Sequence, residues 1–214
     1  MQLLIYPCGP IGANMIFAAA DGRKDVLVID PSDAELALSV LRQRGWTLTD
    51  ILVTHRHFDH ILGVAKLKQV TGATIRISEA DAKGLTSNLV SLSMMQRITI
   101  TPVEPDVLLH DGDAFDAAGL HIRVLATPGH TEGGVSFVCD EERCVFVGDT
   151  LFRDSFGRYD LPGGNLDDLK RSVTEVLFAL PDDYRVYPGH EEPTSIGYER
   201  VHNPIGSEAD PWFN

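Results

Sequence analysis

Three imidazoles and one carboxylate fall inside the six residues that follow Thr54: His55-Arg56-His57-Phe58-Asp59-His60. Neutral imidazole is the commonest protein ligand for zinc and similar ions, and carboxylate follows it. His55 and His57 are two apart, so on extended chain both point to one side. Asp59 and His60 follow at a turn and can face a second point nearby. Polar residues of this kind occur singly in any solvated loop, but this density of ligand types in one stretch predicts a metal.

Three later strand ends carry the same chemistry. His130 follows Pro128-Gly129, Asp149 follows Gly148, and His190 follows Pro188-Gly189. Taken singly, each reads as a turn residue. Together with the first stretch they supply five histidines and two aspartates. A closed structural site uses four ligands, whereas a catalytic site keeps a position for water. Seven candidate ligands therefore favour two ions at a catalytic site. No sulfur is among them, so the donor set does not select strongly among zinc and similar divalent ions.

The elements that must position these groups are strands. Ile51-Leu52-Val53 is an apolar strand leading into His55, and residues 61–70 read as a helix with Leu62, Ala65, Leu67 and Val70 inward. Upstream, residues 3–6, 14–20 and 26–29 read as strands. Ser32 or Asp33 caps a helix that runs to Arg44 and stops at Gly45. Residues 74–78 form the next strand, and 79–101 read ambiguously as short helix or lid. Strand patterns return over 120–126, 135–140, 144–147 and 185–187. Residues 155–165 read as loop, and 166–180 as one amphipathic helix with Leu169, Val173, Val176, Leu177 and Leu180 inward.

The chain has 214 residues, enough for one domain with a substantial core. Its 43% hydrophobic and 23% charged residues are ordinary globular values. There is no apolar run long enough for a membrane span and no signal-peptide pattern, so a cytoplasmic protein with no membrane partner is expected. A net charge of −13 argues against a nucleic-acid surface. Cys8, Cys139 and Cys144 show no metal spacing. Cys139 and Cys144 flank a turn and can pair across it, but free thiols in a reducing compartment are the expectation.

The motifs Thr-His-x-His-x-Asp-His, Thr127-Pro-Gly-His-Thr131, Val147-Gly-Asp-Thr-Leu-Phe152 and Pro188-Gly-His190 resemble, in order and spacing, those of the metallo-β-lactamase fold superfamily. The likeness covers nearly the whole chain. Within that superfamily, Phe156-Gly-Arg-x-Asp160 and the tail Gly197-Tyr-Glu-Arg-x-His-Asn-Pro204 are most similar to short glyoxalase II-like hydrolases. The resemblance implies an α/β fold, an αββα sandwich of two mixed sheets flanked by helices, with the ions at one edge. It implies that His55, His57 and His130 hold the first ion, that Asp59, His60 and His190 hold the second, and that Asp149 bridges them. Two such ions about 3.5–4 Å apart can share a water whose pKa falls to about 7, giving a hydroxide that attacks a carbonyl. Asp59 is expected to orient that nucleophile.

The implied reaction is hydrolysis of a thioester such as S-lactoylglutathione, or of an ester. Arg158 and Tyr198 are candidate substrate contacts, with ion pairing to Asp160 and helix packing as their ordinary alternatives. Thr54 and Thr131 are candidates for steadying the histidines from behind. His110, His121 and His202 fall outside the motifs, and Ser172 and Ser195 have no partnered base. Glyoxalase II enzymes of two domains carry a C-terminal helical domain with basic residues for glutathione. Only 24 residues follow His190 here, so glutathione recognition by such a domain is not expected. A mono-iron persulfide dioxygenase shares the fold and the Gly-Arg-x-Asp element and is the second enzymatic reading. A non-catalytic metal-binding scaffold is the third. Oligomeric state is not legible in the sequence.

Overall fold

The computed structural model of the protein describes residues 1–206. Six strands form a first sheet in sequence order: β1 (Gln2–Cys8), β2 (Ala13–Ala19), β3 (Asp25–Ile29), β4 (Thr47–Leu52), β5 (Thr74–Ser78) and β6 (Val107–Leu109). The first three are antiparallel, and β3 to β6 run parallel. A second sheet contains β7 (Ala114–Ala117), β8 (Leu120–Ala126), β9 (Val135–Cys139) and β10 (Cys144–Gly148). A small hairpin comes next, β11 (Leu151–Phe152) with β12 (Ser155–Phe156), where the sequence predicted loop from 155 onward. β13 (Arg185–Pro188) and β14 (Thr194–Ser195) then complete the second sheet, whose order is β14-β13-β10-β9-β8-β7.

Side-chain alternation explains how the layers stack. In β10, Cys144 and Phe146 enter the core between the sheets, while Val145 and Val147 face a second apolar cluster. That second cluster contains Leu169, Val173, Leu177 and Ile196 from the helical segments covering the outer face. A strand buried on both faces reads as a continuous apolar run, which is how β10 appears in the sequence. On the other side, α1 (Ala34–Arg44) adds Leu38 and Leu41 to the core. The result is the expected αββα sandwich. Among the described residues, no helix is long and apolar enough to cross a membrane.

The start and stop of α1 are as the sequence predicts. Asp33 Oδ1 accepts the Leu36 N–H at 3.0 Å, and Gly45 ends the helix at φ 64°. The helix expected over 61–70 differs. It is split into α2 (Phe58–Ile61) and α3 (Val64–Thr71). The hydrogen bond that would join the two is replaced, because Gly63 N–H donates to the Pro31 carbonyl at 2.8 Å and Ser32 Oγ donates to the Asp59 carbonyl. Val64 and Leu67 face the core, whereas Val70, expected inward, is 53% exposed.

The helix expected over 166–180 also changes character. It runs regularly as α4 (Leu166–Arg171), widens over 172–176 and tightens over 177–179. The widened turn rotates the residues after it about the helix axis, so Val176 is only half-buried while Leu177 and Leu180 are buried. The last helix, α5 (Ile196–His202), is capped by Ser195. Residues 79–101 contain two short turns of tight helix, 82–85 and 93–96, and no long helix.

Candidate metal centre

Parallel strands end at the same side of a sheet, and this brings the ligands together. β3 and β4 are parallel, so Asp30 and the stretch from Thr54 leave the first sheet side by side. β8, β10 and β13 share a direction, so His130, Asp149 and His190 leave the second sheet at one end. The approach is close enough to exclude Cβ atoms at two glycines. A Cβ on Gly148, which sits at φ 51°, would lie 2.3 Å from Thr54 Oγ1. One on Gly189 would lie 2.2 Å from Asp149 Oδ1. The Gly before Asp149 and the Gly before His190 are therefore required by contact between the two loops of ligands.

The donor atoms form two groups. His55, His57 and His130 each bring one ring nitrogen into a common cluster, and Asp59, His60 and His190 form another. His57 Nδ1 lies 2.8 Å from His130 Nε2. Asp59 Oδ2 lies 3.1 Å from His60 Nε2 and 3.2 Å from His190 Nε2. Asp149 stands between them: its Oδ1 is 3.5 Å from His60 Nε2, and its Oδ2 is 3.6 Å from both His130 Nε2 and His190 Nε2. All seven candidate ligands thus converge, six of them in two groups of three with Asp149 between.

Hydrogen bonds behind the rings decide which nitrogen faces inward. Thr54 Oγ1 donates to Asp30 Oδ2 at 2.6 Å and lies 3.0 Å from His55 Nδ1, whose proton it accepts. His55 Nε2 is left with a bare lone pair. His130 Nδ1 donates to the Arg158 carbonyl at 2.7 Å and likewise frees Nε2. His60 Nδ1 donates to Asp30 Oδ2 at 3.0 Å. Asp30, His55 and His60 also lie close enough to be read as a ligand group. Yet both Asp30 oxygens are already taken, by the Thr54 N–H at 2.8 Å and by the Thr54 hydroxyl and His60 ring. Asp30 orients ligands and is not one itself.

The inward atoms fit a cation. His55 Nε2, His60 Nε2 and Asp149 Oδ1 are buried without a hydrogen-bond partner, and orphaned buried polar atoms need an explanation. Burial, then the neighbouring imidazoles, push His55 well below its ordinary pKa. Burial and then His130 bring His57 down to about 3. Neutral imidazoles with free lone pairs are what a divalent ion requires. Burial is the largest influence and opposes ionisation of Asp59 and Asp149, but the surrounding histidines together outweigh it, His60 and His190 at Asp59 and His60, His130 and His190 at Asp149, keeping Asp149 at about 2 and Asp59 below the usual carboxylate range.

The sequence model of the metallo-beta-lactamase superfamily matches residues 8–190. The chain belongs to this superfamily. It is 36% identical over 202 residues to a probable metallo-hydrolase of Streptococcus pyogenes serotype M6, covering 91% of this chain and 85% of that one. It is 40% identical over 163 residues to a hydroxyacylglutathione hydrolase of Rhodopseudomonas palustris, a match spanning 76% of this chain and 56% of the relative. The crystal structure of the BLEG-1 B3 metallo-beta-lactamase superposes with a TM-score of 0.92 at 32% identity, covering 96% of this chain and all of that one. A di-iron-bound structure, TTHA1623, gives a TM-score of 0.83 at 33% identity over 94% of this chain and 99% of that one.

Other candidates in this superfamily member fall into place around the centre. Arg158 lines the cavity over the ligands, with its guanidinium held by Asp160 through two 2.8 Å bonds. Tyr198 is elsewhere: its hydroxyl donates to Asp154 Oδ2 at 3.2 Å, and its ring stacks on His202. The structure therefore does not bring Tyr198 to the cavity lining, and its place on α5 explains it. His110 and His121 pair with Glu79 and Asp116 on the surface. Ser195 caps α5, and Ser172 donates to the Pro128 carbonyl at 2.6 Å.

Sequence reasoning missed two carboxylates. Asp30 had a faint signal, an acid closing the buried run Val26–Ile29. Asp81 had none. It is fully buried and accepts from Arg56 N at 2.9 Å, Arg56 Nη1 at 3.0 Å, Thr131 Oγ1 at 2.7 Å and Gly133 N at 3.2 Å. One side chain thus ties the His55–His60 loop to the loop after His130.

Proposed function

We propose that the protein is a binuclear metal-dependent hydrolase that cleaves a thioester or ester, of which S-lactoylglutathione is one candidate. The observation that carries this reading is Asp149 standing between two complete three-ligand clusters on the floor of a cavity. A full set of three ligands in each cluster supports two ions over the single iron of a dioxygenase, and the cavity supports an enzyme over a scaffold. His55, His57 and His130 would hold one ion, Asp59, His60 and His190 the other, and Asp149 both. Divalent ions bound there would supply a water acidic enough to ionise near neutral pH and would polarise the carbonyl under attack.

The chain's own groups do the rest. Asp59 lines the cavity and is placed to accept a hydrogen bond from the attacking water, which fixes the direction of attack. Asp30, Thr54 and the Arg158 carbonyl hold the rings of His60, His55 and His130 so that their free nitrogens stay inward. No serine or cysteine nucleophile is used. The nitrogen and oxygen donor set supports zinc, iron or manganese, with zinc our first expectation. The charge of −13 supports a small-molecule substrate over nucleic acid. Three free thiols, two of them cross-strand partners, support a cytoplasmic setting.

The deciding experiment pairs metal content per chain with turnover of S-lactoylglutathione and simple thioesters. Two ions and hydrolysis are expected. One iron with oxygen uptake on glutathione persulfide would overturn the reading.

A further inference from the structure

The cavity over the candidate metal centre has two lobes that meet at Ile11, His130, Asp149, Arg158 and His190. The wider lobe, about 580 Å³, runs past Phe152, Ser155, Phe156 and Glu191. The smaller lobe, about 160 Å³, is walled by Ile11, Phe58, Leu92, Met95 and Leu161. A space of about 150 Å³ accommodates a benzene-sized guest. Ile11 and Met95 are 55% and 64% exposed, so this apolar wall continues to the surface.

The wall is built into the fold. Leu92 and Arg97 bracket the tight turn 93–96 with φ of 62° and 58°, a left-handed conformation that non-glycine residues avoid. The Phe58 N–H, at the start of α2, donates to the Ser91 carbonyl at 2.9 Å. The segment bearing Leu92 and Met95 is therefore fastened to the helix that carries Asp59 and His60.

Charge points the same way. Among the described residues lining the two lobes, Arg158 is the sole Lys or Arg, and Asp160 already neutralises it. Of the smaller lobe's residues beyond the ligands and Arg158, only Gln96 is polar.

We propose that the smaller lobe takes an uncharged apolar group of about six carbons, the acyl part of a thioester or ester whose leaving group lies in the wider lobe. This rests on the hydrolase reading above. In the reaction the acyl C–S or C–O bond breaks, water supplies the new C–O bond, and the products are a carboxylic acid and a thiol or alcohol.

The test uses the metal-loaded protein with N-acetylcysteamine thioesters from acetyl to decanoyl, plus succinyl. kcat/KM should rise about fourfold per methylene up to about six carbons and then fall. Met95→Gln, an exposed and nearly isosteric change, should reduce the hexanoyl-to-acetyl preference at least threefold. In parallel, calorimetry with the ketone analogues, in which CH2 replaces sulfur, reads binding without turnover. If neither these thioesters nor the matching p-nitrophenyl esters are cleaved but analogue affinity climbs with chain length and Met95→Gln weakens that climb, the hydrolase reading fails and the apolar lobe stands. A flat chain-length dependence in both assays, or a preference for succinyl over hexanoyl, overturns the inference even where hydrolysis is fast.

Discussion

His60 Nδ1 and Asp30 Oδ2 lie 3.0 Å apart, and the same carboxylate receives the Thr54 N–H and hydroxyl. Asp30 thus fixes one ring of each triad, His60 directly and His55 through Thr54. Asp30→Asn keeps an acceptor for the Thr54 amide but sets an NH2 group against the Thr54 hydroxyl or the His60 ring. Metal affinity should fall about 10- to 100-fold. Competition with a chromophoric chelator reads this directly, and unchanged affinity for both ions would refute the role.

Asp149 touches both clusters, whereas His190 belongs to one. His190→Ala should therefore lower the metal content from two ions per chain towards one, and Asp149→Asn should weaken both. Elemental analysis after gel filtration separates these patterns. Equal stoichiometry in the two variants would contradict the bridge.

Binding that favours the folded state also raises stability. At an ion concentration about 100 times Kd the gain is about 2.7 kcal/mol. For a chain of this size that shifts Tm by about 5–10 °C. Thermal melts with and without a chelator should differ by that amount, and His57→Ala should shrink the difference.

Asp81 and Arg56 form a buried pair at 3.0 Å, with side chains 0% and 7% exposed. Asp81→Asn leaves the guanidinium with only the exposed Glu132, 3.4 Å away, as counter-charge, and loss of one buried partner costs up to about 3–5 kcal/mol. Urea unfolding should show that loss. Metal affinity should drop with it, because Asp81 also holds Thr131 beside His130. The double change Asp81→Leu with Arg56→Met should recover part of the stability and little of the affinity.

A mild acid sensitivity arises from Asp140. The Arg123 guanidinium, bonded at 3.0 and 3.1 Å, and then the Tyr184 hydroxyl lower its pKa. The folded state therefore holds the ionised form more tightly than the unfolded chain does. Its contribution is present above the unfolded value near 3.9 and fades as pH falls through the lower folded value. The pair is partly exposed, so the gain is below about 1 kcal/mol. Asp140→Asn should be slightly less stable than the parent at pH 7, and the difference should vanish near pH 2. A constant difference across that range would count against it.

How much was legible depended on where each signal lies. The candidate ligands were readable because they sit in short motifs, and because imidazole and carboxylate at strand ends have few other uses in such number. The bounds of α1 were readable because Asp33 and Gly45 are local caps. The break between α2 and α3 was not, since its cause lies in another part of the chain, where the Pro31 carbonyl accepts from Gly63 N–H and the Ser32 hydroxyl donates to the Asp59 carbonyl. Val176 was misplaced because the 3.6-residue period assumes a regular helix, and the turn around it is wide.

From the sequence alone came the candidate ion-binding residue types and the strand ends that carry them, because composition, period and motif spacing are local properties; the four-layer sandwich followed from the resemblance of those motifs to the metallo-β-lactamase superfamily. Tertiary structure alone decided the rest. It gave Asp30 and Asp81 their tasks, moved Tyr198 away from the cavity and set Leu92 and Met95 against the candidate ligands. Those relationships join segments far apart in the chain, and a sequence pattern carries no distance between them until packing brings two strand ends to one edge.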